Sequence, residues 1–449
     1  MSKAPTIGTP ESLIAYRAEY VLPITSSAIT NGAVALRGDR IVAVGPADKV
    51  ITAPYAVVDL GRAVILPGFV NVHSHLELTL LRGYLEERKF HRWIEKLVST
   101  FRKLTQTDLQ ISALYGAVEA ARHGVTTLAD TGQSGATVYG LYESGLRGIF
   151  FQEVFGPDPQ HLEQSFETLQ SKVGELRARS TKLIEIGVSP HAPYSVSAKL
   201  YSVVANYAMS EGLKVALHAA ESIDEAALVR TATGNFAKSL QSRGIVPEAK
   251  NTSVLKYLES TGILHCSPLL IHMVQVDDED IALAGRYGCS VAHCPKSNAK
   301  FGHGRAPIER MLKAGLRVAL GSDSVASNNS MDMLEEARFA YMLHACALRD
   351  SSWIDAATLL ELITIRSAEA LGLASEIGSL EVGKQADMIA IELDLVPIYD
   401  IEAAVLFAAT TRRVKLTVVA GREVYRHGAM TTVDEHSLEQ EILRIAKKI

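Results

Sequence analysis

Cysteine is scarce in this chain. Four residues, Cys266, Cys289, Cys294 and Cys346, stand in 449, and no two form a Cys-x-x-Cys pair. This excludes a dense disulfide framework and predicts reduced, buried thiols in a cytoplasmic protein. Charge of one sign is lacking too: 45 basic against 50 acidic residues leave a net charge of −5. With no long Lys/Arg run, nothing points to a nucleic-acid or membrane-surface partner. No apolar run approaches the roughly 20 residues of a membrane span. The opening MSKAPTIGTPESL has no apolar stretch of the kind a secretion signal carries. Glycine-rich phosphate loops are missing, as is the Pro-Cys-x-x-Cys zinc pattern of nucleic-acid deaminases. The expected partner is a small molecule.

What is present reads as an ordinary globular protein, 47% hydrophobic and 21% charged. The two ends are strand-rich. SLIAYRAEYVLP, AVALRGDRIVAVG and AVVDLG alternate or carry β-branched residues, with Asn31-Gly32, Gly38-Asp39 and Gly45-Pro46 as turn signals. ADMIAIELD, LTVVAGREVYR and MTTVD repeat the style near the C-terminus. Between them, eight short apolar runs alternate with helical stretches: AVILPGFVNVHSH, GVTTLADTG, GIFFQEVFG, IEIGVSPHAP, KVALHAAE, LLIHMVQV, GCSVAHCP and RVALGSDS. The pattern predicts an α/β fold, a TIM-like (β/α)₈ barrel with functional residues at the C-terminal strand ends. A small β-sandwich assembled from both termini flanks it. The expected division is 1–64, 65–372 and 373–449, with the barrel in the middle. LQISALYGAVEAARHG is one of the amphipathic helices, with Gly124 as its C-terminal stop.

The polar residues that end these runs carry the chemistry. In His73-Ser74-His75, residues two apart share a strand face, so two imidazoles can converge on one ion. His218 ends KVALH, His272 ends LLIH and Asp323 ends VALGSD. Together they offer a nitrogen and oxygen donor set suited to Zn²⁺ or Fe²⁺.

PGFVNVHSHLELTLLRG, HAAE, the lone His272 and GSDSVASNN strongly resemble the amidohydrolase superfamily, in its cytosine deaminase-like, mononuclear branch. The resemblance spans nearly the whole chain and extends to GSLEVGKQADMIAIE after the barrel. It implies His73, His75, His218 and Asp323 as ligands of one divalent ion, with His272 beside the activated water. Binuclear members bridge two ions with a lysine at the end of strand 4; Ser189-Pro190-His191 stands there, so one ion is expected. The resemblance also implies catalytic roles. Glu221, three residues past His218, would shuttle a proton to the ring nitrogen of a cyclic amidine. Asp323 would accept the water proton and His272 would orient the water, a coherent general acid–base set.

Within the superfamily, HSHLELTLLRGY, SPHAPYSVS and CPKSNAKFGHGRAPIERMLKAG look most like methylthioadenosine/S-adenosylhomocysteine deaminases. His191 matches a nucleoside-holding histidine of that group, and Trp93 sits in the first-loop helix. Two departures stand out. Arg102 occupies the place of a ribose-gripping glutamate, and Gln152 that of an arginine near the end of strand 3. FHRWIEKLVSTFRKL also resembles aminodeoxyfutalosine deaminases, whose substrate carries a benzoate that Arg82, Arg88, Arg92 or Arg102 could meet. The implied activity is hydrolytic deamination of a 6-aminopurine nucleoside by a homo-oligomer. The alternatives are a halotriazine hydrolase, a guanine or pterin deaminase, and a barrel without catalysis. His293, Asn298 and Lys300 are further candidates for substrate contact.

Overall fold

The computed structural model describes residues 13–52, 54–87, 89–394 and 396–449. The N-terminal strands are β1 (Leu13–Val21), β2 (Ile29–Arg37), β3 (Arg40–Pro46), β4 (Ala56–Asp59) and β5 (Ala63–Pro67). Eight strands follow in the middle: β6 (Phe69–Ser74), β7 (Val125–Gly132), β8 (Arg147–Val154), β9 (Ile184–Pro190), β10 (Ala216–Ala219), β11 (Leu269–His272), β12 (Ser290–His293) and β13 (Arg317–Leu320). The chain closes with β14 (Met388–Glu392), β15 (Val414–Val419), β16 (Arg422–Arg426) and β17 (Ala429–Met430). Among the described residues no helix is long and apolar enough to cross a membrane.

Strands from both termini share one nine-stranded sheet, ordered β17-β16-β15-β14-β5-β1-β2-β3 with β4 alongside β1. Its alternating residues Ile14, Tyr16, Ala18, Val34, Leu36, Ile65, Met388, Ala390, Leu416 and Val418 pack into one apolar cluster, as period-2 patterning demands. Two details differ from the sequence expectation. Asn31-Gly32 lies inside β2 rather than in a turn, because a Cβ at Gly32 would meet the Val21 side chain at 2.6 Å and the strands need that close approach. The first apolar run also splits at Gly68. AVILP joins the terminal sheet through β1 and β14, and only FVNVHS enters the middle set.

The middle strands form two parallel four-stranded sheets, β6-β7-β8-β9 and β10-β11-β12-β13. Bridges Val188–Val215 and Ser74–Asp323 link them at both edges. Every strand is buried on both faces, which explains the near-continuous apolar runs. Val70, Val72, Ala129, Ile149, Phe151, Ala216, Ile271, Ala292 and Ala319 meet in one cluster. The opposite faces, with Leu128, Phe150, Ile186, Leu217, Leu270 and Val318, pack against the helices. The helix Gln106–Arg122 shows how sharply these elements are bounded. Thr105 and Asp108 form a reciprocal capping box at its start, and Gly124, at φ +79, turns the chain into β7.

Candidate active site

The C-terminal ends of the parallel strands carry the polar residues. β6 needs a local irregularity to deliver its pair: the four residues Asn71 to Ser74 oppose the three residues Leu128 to Asp130 on β7. Plain alternation would leave His73 on the face away from Val70 and Val72. The extra residue re-aims the strand end toward the centre. Backbone strain collects at the same rim. Ala220, His272, Met273 and Asp323 all take positive φ, at 53°, 77°, 51° and 59°. Each such residue costs about 1–3 kcal/mol unless its surroundings hold it. Here Asp323 N–H donates to the His73 carbonyl at 2.9 Å, and His272 Nδ1 pairs with Asn298 Oδ1 at 2.9 Å.

His73, His75 and His218 bring their donor atoms within 4.8 Å of one another. Asp323 Oδ1 lies 3.4 Å from His73 Nε2 and 3.5 Å from His75 Nε2. Its other oxygen accepts the hydroxyls of Ser297 and Ser327. The His218 Nδ1–H points at the His191 carbonyl, 3.1 Å away, leaving Nε2 for the centre. Burial, aided by neighbouring imidazoles, pushes His73 down to about 4 and lowers His75 and His218 as well. Burial would raise Asp323, but the adjacent His73 imidazole, with His272 and His75, outweighs it and keeps the carboxyl ionised. Neutral imidazoles and an ionised carboxylate are the forms that bind a divalent cation. His73 Nε2 is buried without a hydrogen-bond partner, so the residues fit an ion. A second group, Glu153, His191 and His218, is also close enough to hold one. It reuses His218, whose other nitrogen is committed, so the two groups cannot be filled together.

Glu221 lies behind this set, 3% exposed. Its Oε1 is 3.6 Å from His272 Nε2 and 3.4 Å from His303 Nε2. Burial would raise its pKa, but His272 and His303 outweigh burial and hold it below the usual value. The Glu221 and Ala220 N–H groups are anchored by the Glu225 carboxyl at 2.8 and 2.9 Å. Burial pushes Glu225 up to about 8, aided by the charge of Glu221.

The remaining sequence candidates fall in different places. His191 lies at this rim, its ring 4.7 Å from His218 and its Nδ1 2.7 Å from Ser195 Oγ. Gln152 does not face the centre: its amide nitrogen donates to the Gly132, Gln133 and Glu153 carbonyls. Period-2 alternation puts Glu153, in line with Ile149 and Phe151, on the inner face instead. Burial raises the Glu153 carboxyl well above its ordinary value. Trp93 is buried with Leu78, Leu81 and Leu85, its ring 5.2 Å from Phe301. His293 pairs with His344, nitrogen to nitrogen at 3.4 Å, and Lys300 with Glu86 at 2.9 Å. Arg82 is engaged by Glu119 and Arg92 by Glu95; Arg102 is exposed, and Arg88 lies outside the described residues. Sequence reasoning missed Glu153 and His303. Strand alternation could have found the first, and the glycines on both sides of His303 the second.

Comparison with known proteins agrees with this geometry. Residues 64–424 match the model of the amidohydrolase family. A 5-methylthioadenosine/S-adenosylhomocysteine deaminase of Moorella thermoacetica is 31% identical over 434 residues, covering 94% of this chain and 96% of the relative. The crystal structure of an adenosine deaminase from Xanthomonas campestris with bound zinc superposes with a TM-score of 0.85 at 27% identity, covering 98% of this chain and 100% of that one. An atrazine chlorohydrolase from Arthrobacter aurescens, complexed with zinc, shares the fold, with a TM-score of 0.82 at 21% identity over 96% of this chain and 100% of its own.

Proposed function

Because the chain belongs to the amidohydrolase family, we propose that it is a hydrolytic deaminase that releases ammonia from a 6-aminopurine nucleoside of the methylthioadenosine, S-adenosylhomocysteine, adenosine or aminodeoxyfutalosine class. The observation that carries this reading is the pairing of two constellations at one rim. Three neutral imidazoles and the Asp323 carboxylate form a cation site, and the buried Glu221 stands beside His272 as a proton carrier. Deamination needs proton carriers at both the ring nitrogen and the amine, since ammonia leaves only once protonated, whereas chloride does not.

One divalent ion, Zn²⁺ or Fe²⁺, is assigned to His73, His75, His218 and Asp323. Such an ion lowers the pKa of a coordinated water toward neutrality and so supplies a nucleophile. The residues do the rest. Asp323 takes a proton from the attacking water and later passes it to the departing amine. Glu221, ionised at rest, takes up the second proton of the water and hands it to the ring nitrogen, and His272, its ring fixed through Asn298, orients the water. His191 and Trp93 are assigned to substrate positioning. Gln152 acts only indirectly, by holding the backbone beside Glu153.

The scaffold in this reading is a closed (β/α)₈ barrel, supported by the bridges at both edges of the two parallel sheets. In the same reading the terminal strands form a β-sandwich, which their shared apolar cluster supports. The chain divides at 1–64, 65–372 and 373–449, with β5 as the strand on which the first boundary falls. The four unpaired cysteines support a cytoplasmic enzyme. A homo-oligomer completes the proposal, and light scattering tests it. The deciding experiment is an ammonia-release screen with adenosine, methylthioadenosine, S-adenosylhomocysteine, aminodeoxyfutalosine, guanine and aminotriazines. Release from the adenine nucleosides is expected. Activity confined to guanine would overturn the substrate class, and chloride release from a chlorotriazine without any ammonia would overturn deamination.

A further inference from the structure

His303 sits between two glycines, in Lys300-Phe301-Gly302-His303-Gly304-Arg305. Gly302 takes φ +69 and Gly304 takes φ +109, the second a conformation that a residue with a Cβ hardly adopts. The bend between them turns the imidazole inward, where 6% of the side chain remains exposed. Its backbone is tied on both sides: the N–H donates to the Asn298 carbonyl at 2.9 Å, and the carbonyl accepts from Gln275 Nε2 at 2.7 Å. The placement takes two turns that only glycine makes readily, and it buries a polar ring.

Two contacts give the placement a purpose. His303 Nε2 approaches Oε1 of Glu221 at 3.4 Å, the same oxygen that His272 approaches at 3.6 Å. Both imidazoles converge on one oxygen and leave the other free. The ring of Phe90 also meets the His303 ring edge to face, with centroids 4.7 Å apart and planes at 81°. Phe90 is the first residue of the helix Phe90–Phe101, which belongs to the loop after β6. It also touches Phe301 and Phe236, at 4.9 and 6.2 Å. The helix is amphipathic, with Phe90, Trp93, Ile94 and Leu97 against one apolar cluster, and it lies over this rim.

We propose that His303 is a positioning residue that couples the seating of the helix Phe90–Phe101 to the aim of the Glu221 carboxylate. With the helix packed, Phe90 fixes the imidazole, the imidazole fixes Oε1, and the free oxygen faces the substrate. With the helix displaced, His303 loses its stacking partner and Glu221 can rotate. The acid–base group is therefore set only when the loop that covers the site is in place, which ties proton transfer to the exclusion of water.

This inference rests on the deaminase reading for its kinetic arm, and a second arm needs no substrate. In the first, His303→Ala lowers kcat on the order of 10- to 100-fold, the scale set by misplacing a catalytic group, with KM and metal content near wild type. His303→Gln, which keeps an N–H donor, restores most of kcat. Phe90→Ala lowers kcat in the same direction, and the double variant His303→Ala/Phe90→Ala loses less than the product of the single losses. In the second arm, hydrogen–deuterium exchange of residues 90–101 is faster in His303→Ala than in wild type, and His303→Gln exchanges as wild type does. A rise in KM alone, or multiplicative losses in the double variant, overturns the coupling, as does exchange unchanged by His303→Ala. Should the wild type release no ammonia while exchange still responds to position 303, the deaminase reading falls and the coupling stands.

Discussion

Glu221 is a carboxylate that burial alone would neutralise, and two imidazoles facing one of its oxygens keep it ionised. Its place three residues past His218 was legible in His-Ala-Ala-Glu, because a strand-end ligand followed by a short turn leaves a carboxylate over the same opening. Glu221→Gln keeps the shape and removes the carboxylate that takes up and hands on a proton. Turnover falls by about 10²–10⁴-fold, the usual weight of an acid–base group, while bound metal, measured by atomic emission, stays at the wild-type level. A second residue-scale expectation concerns acid stability. His344 is fully buried, and burial, with the Arg305 charge, pushes its pKa down to about 4, against a smaller opposing effect of Glu309. Between about 4 and the ordinary value of 6.5 the unfolded chain binds a proton at this residue that the folded one does not. Stability from His344 is therefore complete above pH 6.5 and lost as pH falls toward 4, on the order of 3 kcal/mol in all. Urea titrations between pH 4 and 7 should show a shallower pH slope in His344→Gln.

At the scale of elements, the decisive features are irregular ones. Period-2 alternation reads β6 well up to Val72, and then the extra residue opposite β7 redirects His73 and His75. No sequence pattern announces such a bulge, since it is fixed by what the neighbouring strand offers. The end of β13 is equally close. A Cβ on Gly321 would lie 2.8 Å from His73 Cβ and 2.9 Å from His73 N. Gly321→Ala must push the two strand ends apart, so it should cost about 1–3 kcal/mol as an overpacking change and lower the bound metal per chain. A variant with full metal content and unchanged melting temperature would show that the strand ends are free to yield. Gln152 and Glu153 carry the opposite lesson. Alternation from Ile149 and Phe151 was available in the sequence, and it selects Glu153 for the inner face.

On the scale of the whole molecule, the terminal sheet is locked to the parallel strands by buried polar contacts. Arg147, the first residue of β8, grips Asp387 with Nε and Nη2 at 2.8 and 3.0 Å, with the two side chains 7% and 1% exposed. Asp387 in turn accepts the Ala420 N–H at 2.7 Å, and its carbonyl takes the Gly68 N–H at 3.1 Å. Removing one partner strands the other charge, so Arg147→Ala should lose about 3–5 kcal/mol. Thermal unfolding followed by calorimetry measures it, and a loss under 1 kcal/mol would mean that water reaches Asp387. The sequence by itself determined the eight apolar runs, the strand-rich ends and the residues at the strand ends, because burial periodicity and turn chemistry act over a few neighbouring residues. Only the tertiary structure decided which oxygen of Glu221 is held, which strand bulges and which buried charges meet. Those outcomes depend on atoms brought within a few ångströms from positions tens to hundreds of residues apart, and local pattern carries no information about such distances.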